Sequence, residues 1–420
     1  MKKQIGIWIL TFLLIFEMIS PVCVQAEELY VFTRETLPCY SDEYGSSRVG
    51  SLPKYHGAKV EQKSGGYHLV TYTKNEKKRT GWITHEDYRD WCLEYDGSEI
   101  PVVATGTYQM GGQKVIITFL GDGEYYIQLE DNKQYLSAVG NSVNASLSFR
   151  TQKDYEGNLW IFDRTDHNLT IQNKKTGLYL IPEGSVIRMT GFHQAKKYCW
   201  ILTRQGTNAD PYRNFLQYDG RWGNKRYGRS TKMAASACGI LAVVNAAFAL
   251  NGQFIEPMEA AQYAYEKGYR VENNGTDEDF LKAFVRDLGK KYGICYDGKA
   301  ETLSGIKKTL KNEGVVTAHV PGHYVCIADY KEKKDRYLIL DPHPITKRKT
   351  SPFGSWKSER RLETGSLAVS TSFIYRKIEE ETFRWDMQEQ ELEVIQVIAS
   401  NHMSGEIKEV FERLLDREGR

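Results

Sequence analysis

The chain reads as a multidomain protein, with an all-β N-terminal half followed by an α+β domain and a helical tail. Three observations predict this. Tyr 27 and Gly 36 against only Pro 11 favour strands joined by many turns. Between residues 97 and 205 a strand-like pattern recurs at offsets of 40 and 44 residues. Beyond it, helix-length apolar stretches appear, beginning with Ala234–Leu250, and strands follow them.

Composition narrows the field. The chain has 420 residues, 41% hydrophobic and 26% charged, which excludes collagen-like, coiled-coil and wholly disordered proteins. At ~100–200 residues per domain, about two to four domains fit. Lys+Arg 56 against Asp+Glu 54 leaves a formal net charge of +2, so no basic excess points to nucleic acid.

Residues 1–26 read as an export signal. Lys2-Lys3 is a basic start, Ile5 to Ile19 an apolar run, and Val24-Gln25-Ala26 places small residues where a signal peptidase cuts. The run carries Glu17 and is short for a ~20-residue membrane span, so cleavage is expected in preference to an anchor. The expected location is extracellular, with no membrane segment after cleavage. Cys39, Cys92, Cys199, Cys238, Cys295 and Cys326 remain, without a C-x-x-C pair, which argues against structural zinc and thioredoxin chemistry.

Residues 27–95 read as short strands. Gly66–Tyr72 and Thr80–Ile83 flank a charged turn, a hairpin pattern. Leu37-Pro38-Cys39-Tyr40-Ser41, Val49-Gly50-Ser51-Leu52-Pro53, Gly66-Tyr67 and Gly81-Trp82-Ile83 make this segment resemble the bacterial SH3-like (SH3b) domain. The resemblance implies a small barrel that holds a secreted enzyme on peptidoglycan or another wall polymer. A barrel that only packs on its neighbour is the alternative.

Residues 97–205 carry the repeat. Ile127-Gln128 with Gln134-Tyr135-Leu136 recurs as Ile171-Gln172 with Leu178-Tyr179-Leu180, and Trp160-Ile161 recurs as Trp200-Ile201. The pattern resembles ricin-type lectin repeats, which implies a β-trefoil-like segment and a glycan ligand. The lectin Gln-x-Trp is replaced by Asn158-Leu159-Trp160 and Tyr198-Cys199-Trp200, and repeated Trp and Tyr-Leu pairs equally suit a core.

Residues 208–377 read as the α+β domain. Ala234–Leu250 is apolar on nearly every face and ends at Asn251-Gly252, so a buried helix is expected. Further helices are expected near Pro257–Lys267 and Asp277–Lys290. Strands are expected at Val315–Val320, Tyr324–Tyr330, Tyr337–Leu340 and Leu367–Tyr375. The tail, 378–420, is acidic, with Ile407, Val410, Phe411, Leu414 and Leu415 at helical spacing.

The chemistry concentrates in this domain. Cys238 stands at the start of the buried helix, where unpaired N–H groups and the helix dipole favour a thiolate. A small core cysteine is the competing reading. His323 opens a strand, and Asp341-Pro342 ends the next. With a three-residue loop, Lys331–Lys333, His323 and Asp341 would be directly opposite, and other loops shift this by a position or two. That pairs a nucleophile and base with an orienting carboxylate. Gln217, in Phe215-Leu216-Gln217-Tyr218-Asp219, is the side-chain candidate for an oxyanion donor beside the Cys238 N–H; a surface loop glutamine is the alternative.

Over residues 215–345 the chain resembles the C39-like (papain-like) cysteine peptidases of bacterial secreted proteins. The matching pieces are Gln217-Tyr218-Asp219, Arg221-Trp222-Gly223, Tyr227-Gly228, Ala237-Cys238-Gly239, Pro257-Met258-Glu259-Ala260, Gly268-Tyr269-Arg270, Asn274-Gly275-Thr276, Gly322-His323-Tyr324-Val325 and Asp341-Pro342. The resemblance implies Cys238 as nucleophile, His323 as base, Asp341 as orienter, Gln217 as oxyanion donor, and a peptide or peptidoglycan substrate without a cofactor. It departs at Ala237, where the family usually has Gly, and at Ile240-Leu241, where it has Pro-Thr or Pro-Ser. Two alternatives stand beside it: a metal site from His319, His323, Asp341 and His343, and a non-catalytic wall- or glycan-binding protein on a peptidase-like scaffold.

Overall fold

A computed structural model describes residues 29–95, 97–142, 145–153, 155–183, 186–206, 213–343, 354–378 and 384–385. The chain is a β-rich multidomain protein, as composition predicted. The export signal at 1–26 lies outside these residues, as does nearly all of the tail. Arg384–Trp385, expected as helix, is instead a short strand parallel to Val186–Thr190.

The N-terminal residues form a seven-stranded sheet ordered Arg48–Leu52, Leu37–Tyr40, Lys77–Thr84, Tyr67–Lys74, Gly57–Lys63, Leu29–Thr33, Cys92–Tyr95. The expected hairpin is present, with Lys74 opposite Lys77. Its turn, Asn75-Glu76, has φ of 51° and 62°, the doubly left-handed geometry that matches strand twist. Alternate residues Val31, Leu37, Cys39, Val60, Val70, Tyr72 and Ile83 fill the core.

The middle residues build an eleven-stranded sheet from Gly106–Met110 to Val186–Thr190, joined by Thr203–Arg204 and Arg384–Trp385. The repeat is structural. The Trp160 indole donates to the Leu136 carbonyl at 2.8 Å, and Trp200 does the same to Leu180 at 2.9 Å. Gln128 donates to the Lys133 carbonyl at 3.0 Å, and Gln172 to that of Gly177 at 2.9 Å. Both tryptophans are buried, as are Leu136 and Leu180, while Tyr135 and Tyr179 are half-buried. A buried indole needs its N–H paired, and the recurring carbonyl supplies it.

The C-terminal domain is helices on an antiparallel sheet. Helix α1 is Cys238–Asn251, α2 Pro257–Glu266, α3 Asp279–Leu288 and α4 Leu303–Lys311. Strands β1 (Ile294–Lys299), β2 (Val315–Val320), β3 (His323–Lys331), β4 (Arg336–Leu340), β5 (Ser355–Ser358) and β6 (Thr371–Lys377) run in the order β1-β6-β2-β3-β4-β5. From Gly239 to Asn251 every residue of α1 is buried. Strand parity sends Cys326, Ala328, Leu338 and Leu340 to the α1 side and Val325, Ile327, Tyr337 and Ile339 to the α4 side.

Three local expectations change. The predicted helix Ala234–Leu250 breaks at Ala237, which leaves a short helix at Met233–Ser236 and makes Cys238 a first residue. Leu367 lies in a short 3-10 turn, and the last strand starts at Thr371. The β3–β4 connection is longer than three residues: Lys331 pairs with Arg336, and a bulge lies between Ile327 and Asp329.

Candidate active site

Cys238 is held by the break before α1. Ala237, at φ −95° and ψ 21°, precedes it and offers no side-chain cap. The first N–H groups of α1 and the positive end of its dipole are therefore open to negative charge. Gly239 is needed for packing, since a Cβ there would lie 2.8 Å from Thr276 Cβ. Thr276 in turn hydrogen-bonds the Tyr227 hydroxyl at 2.8 Å.

His323 is the first residue of β3, after a tight turn whose Gly322 has φ 68°. Its Nε2 lies 2.7 Å from Asp341 Oδ1. The two are not directly opposite. Leu340 faces Cys326, so Asp341 is offset two positions along the ladder from His323. Asp341 lies just past the end of β4, and its side chain reaches along the edge. The Cys238 sulfur neighbours the same imidazole and favours its charged form. With Nε2 on Asp341, Nδ1 is the nitrogen left for the thiol.

The electrostatics follow from this placement. Burial alone would push the His323 pKa down, but the Asp341 hydrogen bond and the Cys238 sulfur outweigh it and raise it to about 9. A charged imidazole beside a sulfur and a carboxylate suits a thiolate–imidazolium pair.

Gln217 is buried between the two halves of the site. Its main-chain N–H donates to the Pro342 carbonyl at 2.9 Å, next to Asp341. Its side-chain amide donates to the Ala234 carbonyl, shortly before Cys238. One amide N–H remains for another acceptor, while Oε1 is buried without a partner among the described residues. The Gln217 turn is stiffened by neighbours that the sequence motif contains. Asp219 accepts from Arg221 Nε at 2.8 Å, and the Trp222 indole donates to the Leu216 carbonyl at 2.8 Å.

Sequence reasoning missed two asparagines. Asn245, on α1, accepts from Phe215 N at 2.7 Å and donates to the Phe215 carbonyl at 3.1 Å, pinning the Gln217 segment to the helix. Asn214 donates to the Asp341 carbonyl at 3.0 Å. The available signal was Asn245 itself, a lone amide in the apolar run Ala242–Ala249. The metal alternative does not assemble: His319 turns to Ser370 Oγ at 2.8 Å. Among the described residues, no group of three or more His, Cys, Asp or Glu is arranged to hold a metal.

No family model matches the chain, and no curated protein matches it. Solved structures similar to it include ThreeFoil, a designed 3-fold symmetric protein, at 13% identity over 42% of this chain and 97% of that one, with a TM-score of 0.20. A GH43 β-1,3-galactosidase matches at 13% identity over 42% and 52%, with a TM-score of 0.19. A Polyporus squamosus lectin matches at 10% identity over 71% and 92%, with a TM-score of 0.22. At these TM-scores the likenesses carry no argument about this chain.

Proposed function

We propose that the chain is an exported cysteine hydrolase that cleaves peptide or amide bonds through Cys238, His323 and Asp341. One observation carries the reading: a cysteine on an uncapped helix start shares a buried histidine with a carboxylate 2.7 Å from Nε2. The Cys238 thiolate attacks the acyl carbon. The oxyanion is held by the Cys238 N–H and the spare Gln217 amide N–H. His323 gives its proton to the leaving amine, which departs and leaves an acyl-enzyme. Water then attacks as His323 takes its proton, and the thiolate is released with the acid.

The finer architecture belongs to the same proposal. A papain-like domain is supported by α1 lying across an antiparallel sheet that carries the histidine. A β-trefoil-like segment is supported by the equivalent Trp160 and Trp200 hydrogen bonds. An SH3-like barrel is supported by the seven-stranded antiparallel sheet. Attachment to wall polymer or glycan rests on the sequence resemblances of those β modules.

A thiol-directed electrophile tests the reading. In native protein Cys238 labels far faster than Cys295 or Cys326, and Cys238→Ala abolishes the fast phase. Equal, slow labelling of all three would leave a non-catalytic scaffold. Muropeptide analysis of digested wall, wild type against Cys238→Ala, separates peptidoglycan bonds from protein substrates.

A further inference from the structure

Asp341 Oδ1 accepts a second hydrogen bond, from the main-chain N–H of His343 at 2.8 Å. The same oxygen therefore serves His323 and the loop that follows it. The His343 ring stands edge-on to His323, with centroids 5.7 Å apart. Its Nε2 hydrogen-bonds the Tyr218 hydroxyl. Burial, and then the charge of His323, hold the His343 pKa below its ordinary value. Burial pushes the Tyr218 phenol up. A neutral imidazole can thus accept from a protonated phenol.

Tyr218 is supported from another domain. Its ring lies 5.8 Å from that of Phe32, which stacks on Tyr55 at 6.2 Å. Phe32 and Leu93 of the N-terminal sheet, with Tyr218 and Ala234 of the C-terminal domain, form one buried cluster. Tyr218 follows Gln217, and the Ala234 carbonyl holds the Gln217 amide. Glycines permit this junction. A Cβ on Gly223 would lie 2.7 Å from the Phe32 ring, and one on Gly57 would lie 2.7 Å from Gly220 Cα.

We infer that Tyr218 and His343 are positioning residues that fix Asp341 against His323, and that the N-terminal module, through Phe32, holds them there. The inference rests on the catalytic reading of Cys238. The N-terminal module is then a supporting wall of the catalytic centre as well as any tether.

The test uses the full chain and iodoacetamide, with Cys238 alkylation followed by peptide mass from pH 5 to 9. Tyr218→Phe and His343→Ala slow alkylation at pH 6 about three- to tenfold, the loss expected for one buried hydrogen bond. His343→Gln, whose amide oxygen accepts from Tyr218, stays within about twofold of wild type. Phe32→Leu moves the profile in the same direction as Tyr218→Phe. Thermal melts confirm that each variant is folded at the assay temperature. Folded Tyr218→Phe and His343→Ala proteins with the wild-type profile overturn the positioning role alone. A wild-type profile for Phe32→Leu overturns the part assigned to the N-terminal module. Wild-type Cys238 reacting no faster than Cys295 overturns both this inference and the catalytic reading.

Discussion

Replacing Asp341 by Asn removes a charge while leaving an oxygen where Asp341 Oδ1 accepts from His323 Nε2 at 2.7 Å and His343 N at 2.8 Å. Both N–H groups keep an acceptor, so no buried donor is orphaned. What is lost is the difference between a charge-assisted and a neutral hydrogen bond, about 1–2 kcal/mol. One pKa unit corresponds to about 1.4 kcal/mol, so the change is about one unit. The His323 midpoint, raised to about 9 in the wild type, should fall to about 8 in Asp341→Asn. The assay is an NMR titration of histidine labelled with carbon-13, the His323 resonance assigned by its loss in His323→Gln. A His323 midpoint that does not move in Asp341→Asn would refute the reasoning. So would a wild-type midpoint below the ordinary histidine value, because burial would then outweigh both partners.

Three further outcomes follow from the geometry. The raised His323 pKa means its stabilisation is fully present below about pH 6.5 and lost as pH rises through about 9. The melting-temperature advantage of wild type over His323→Gln should shrink across that window, and an advantage that grows would contradict the assignment. Gly239→Ala puts a methyl 2.8 Å from Thr276 Cβ and should cost about 1–3 kcal/mol in urea unfolding; an unchanged midpoint would show that α1 can shift freely. Trp160→Phe and Trp200→Phe remove equivalent hydrogen bonds and should each destabilise by about 1–3 kcal/mol. A large loss at one site and none at the other would mean the two repeats are not structurally equivalent.

Much of the C-terminal domain was legible because its elements follow local rules. Gly252 ends α1 at φ 65°, as an Asn-Gly pair after an apolar run predicts. Pro257 begins α2 at its first position, where a missing N–H does no harm. The strands β2, β3 and β4 match their predicted spans within a residue or so. The break at Ala237 was not legible, because alanine is the best helix former and nothing local ends a helix there. Likewise α4 escaped notice, its apolar side being only Leu303, Ile306 and Leu310 amid lysines. Cys238, His323 and Asp341 could be singled out from chemistry and order along the chain, and Asn245 stood out as a lone amide in an apolar run, but the contacts of Asn214, Tyr218 and His343 could not be read. Their roles depend on which carbonyl or ring a fold brings near.

Residue type and spacing determined a β-rich multidomain chain, a cysteine beside a buried helix, and a histidine and aspartate at neighbouring strand ends. Those features are short-range: periodicity, turn chemistry and hairpin order act within a few residues of each other. The tertiary structure alone decided the two-position offset that Asp341 spans, the pairing of Gln217 with Ala234, and the contact of Phe32 with Tyr218. These join residues far apart in the chain, and their geometry is set by how buried surfaces pack rather than by any local preference.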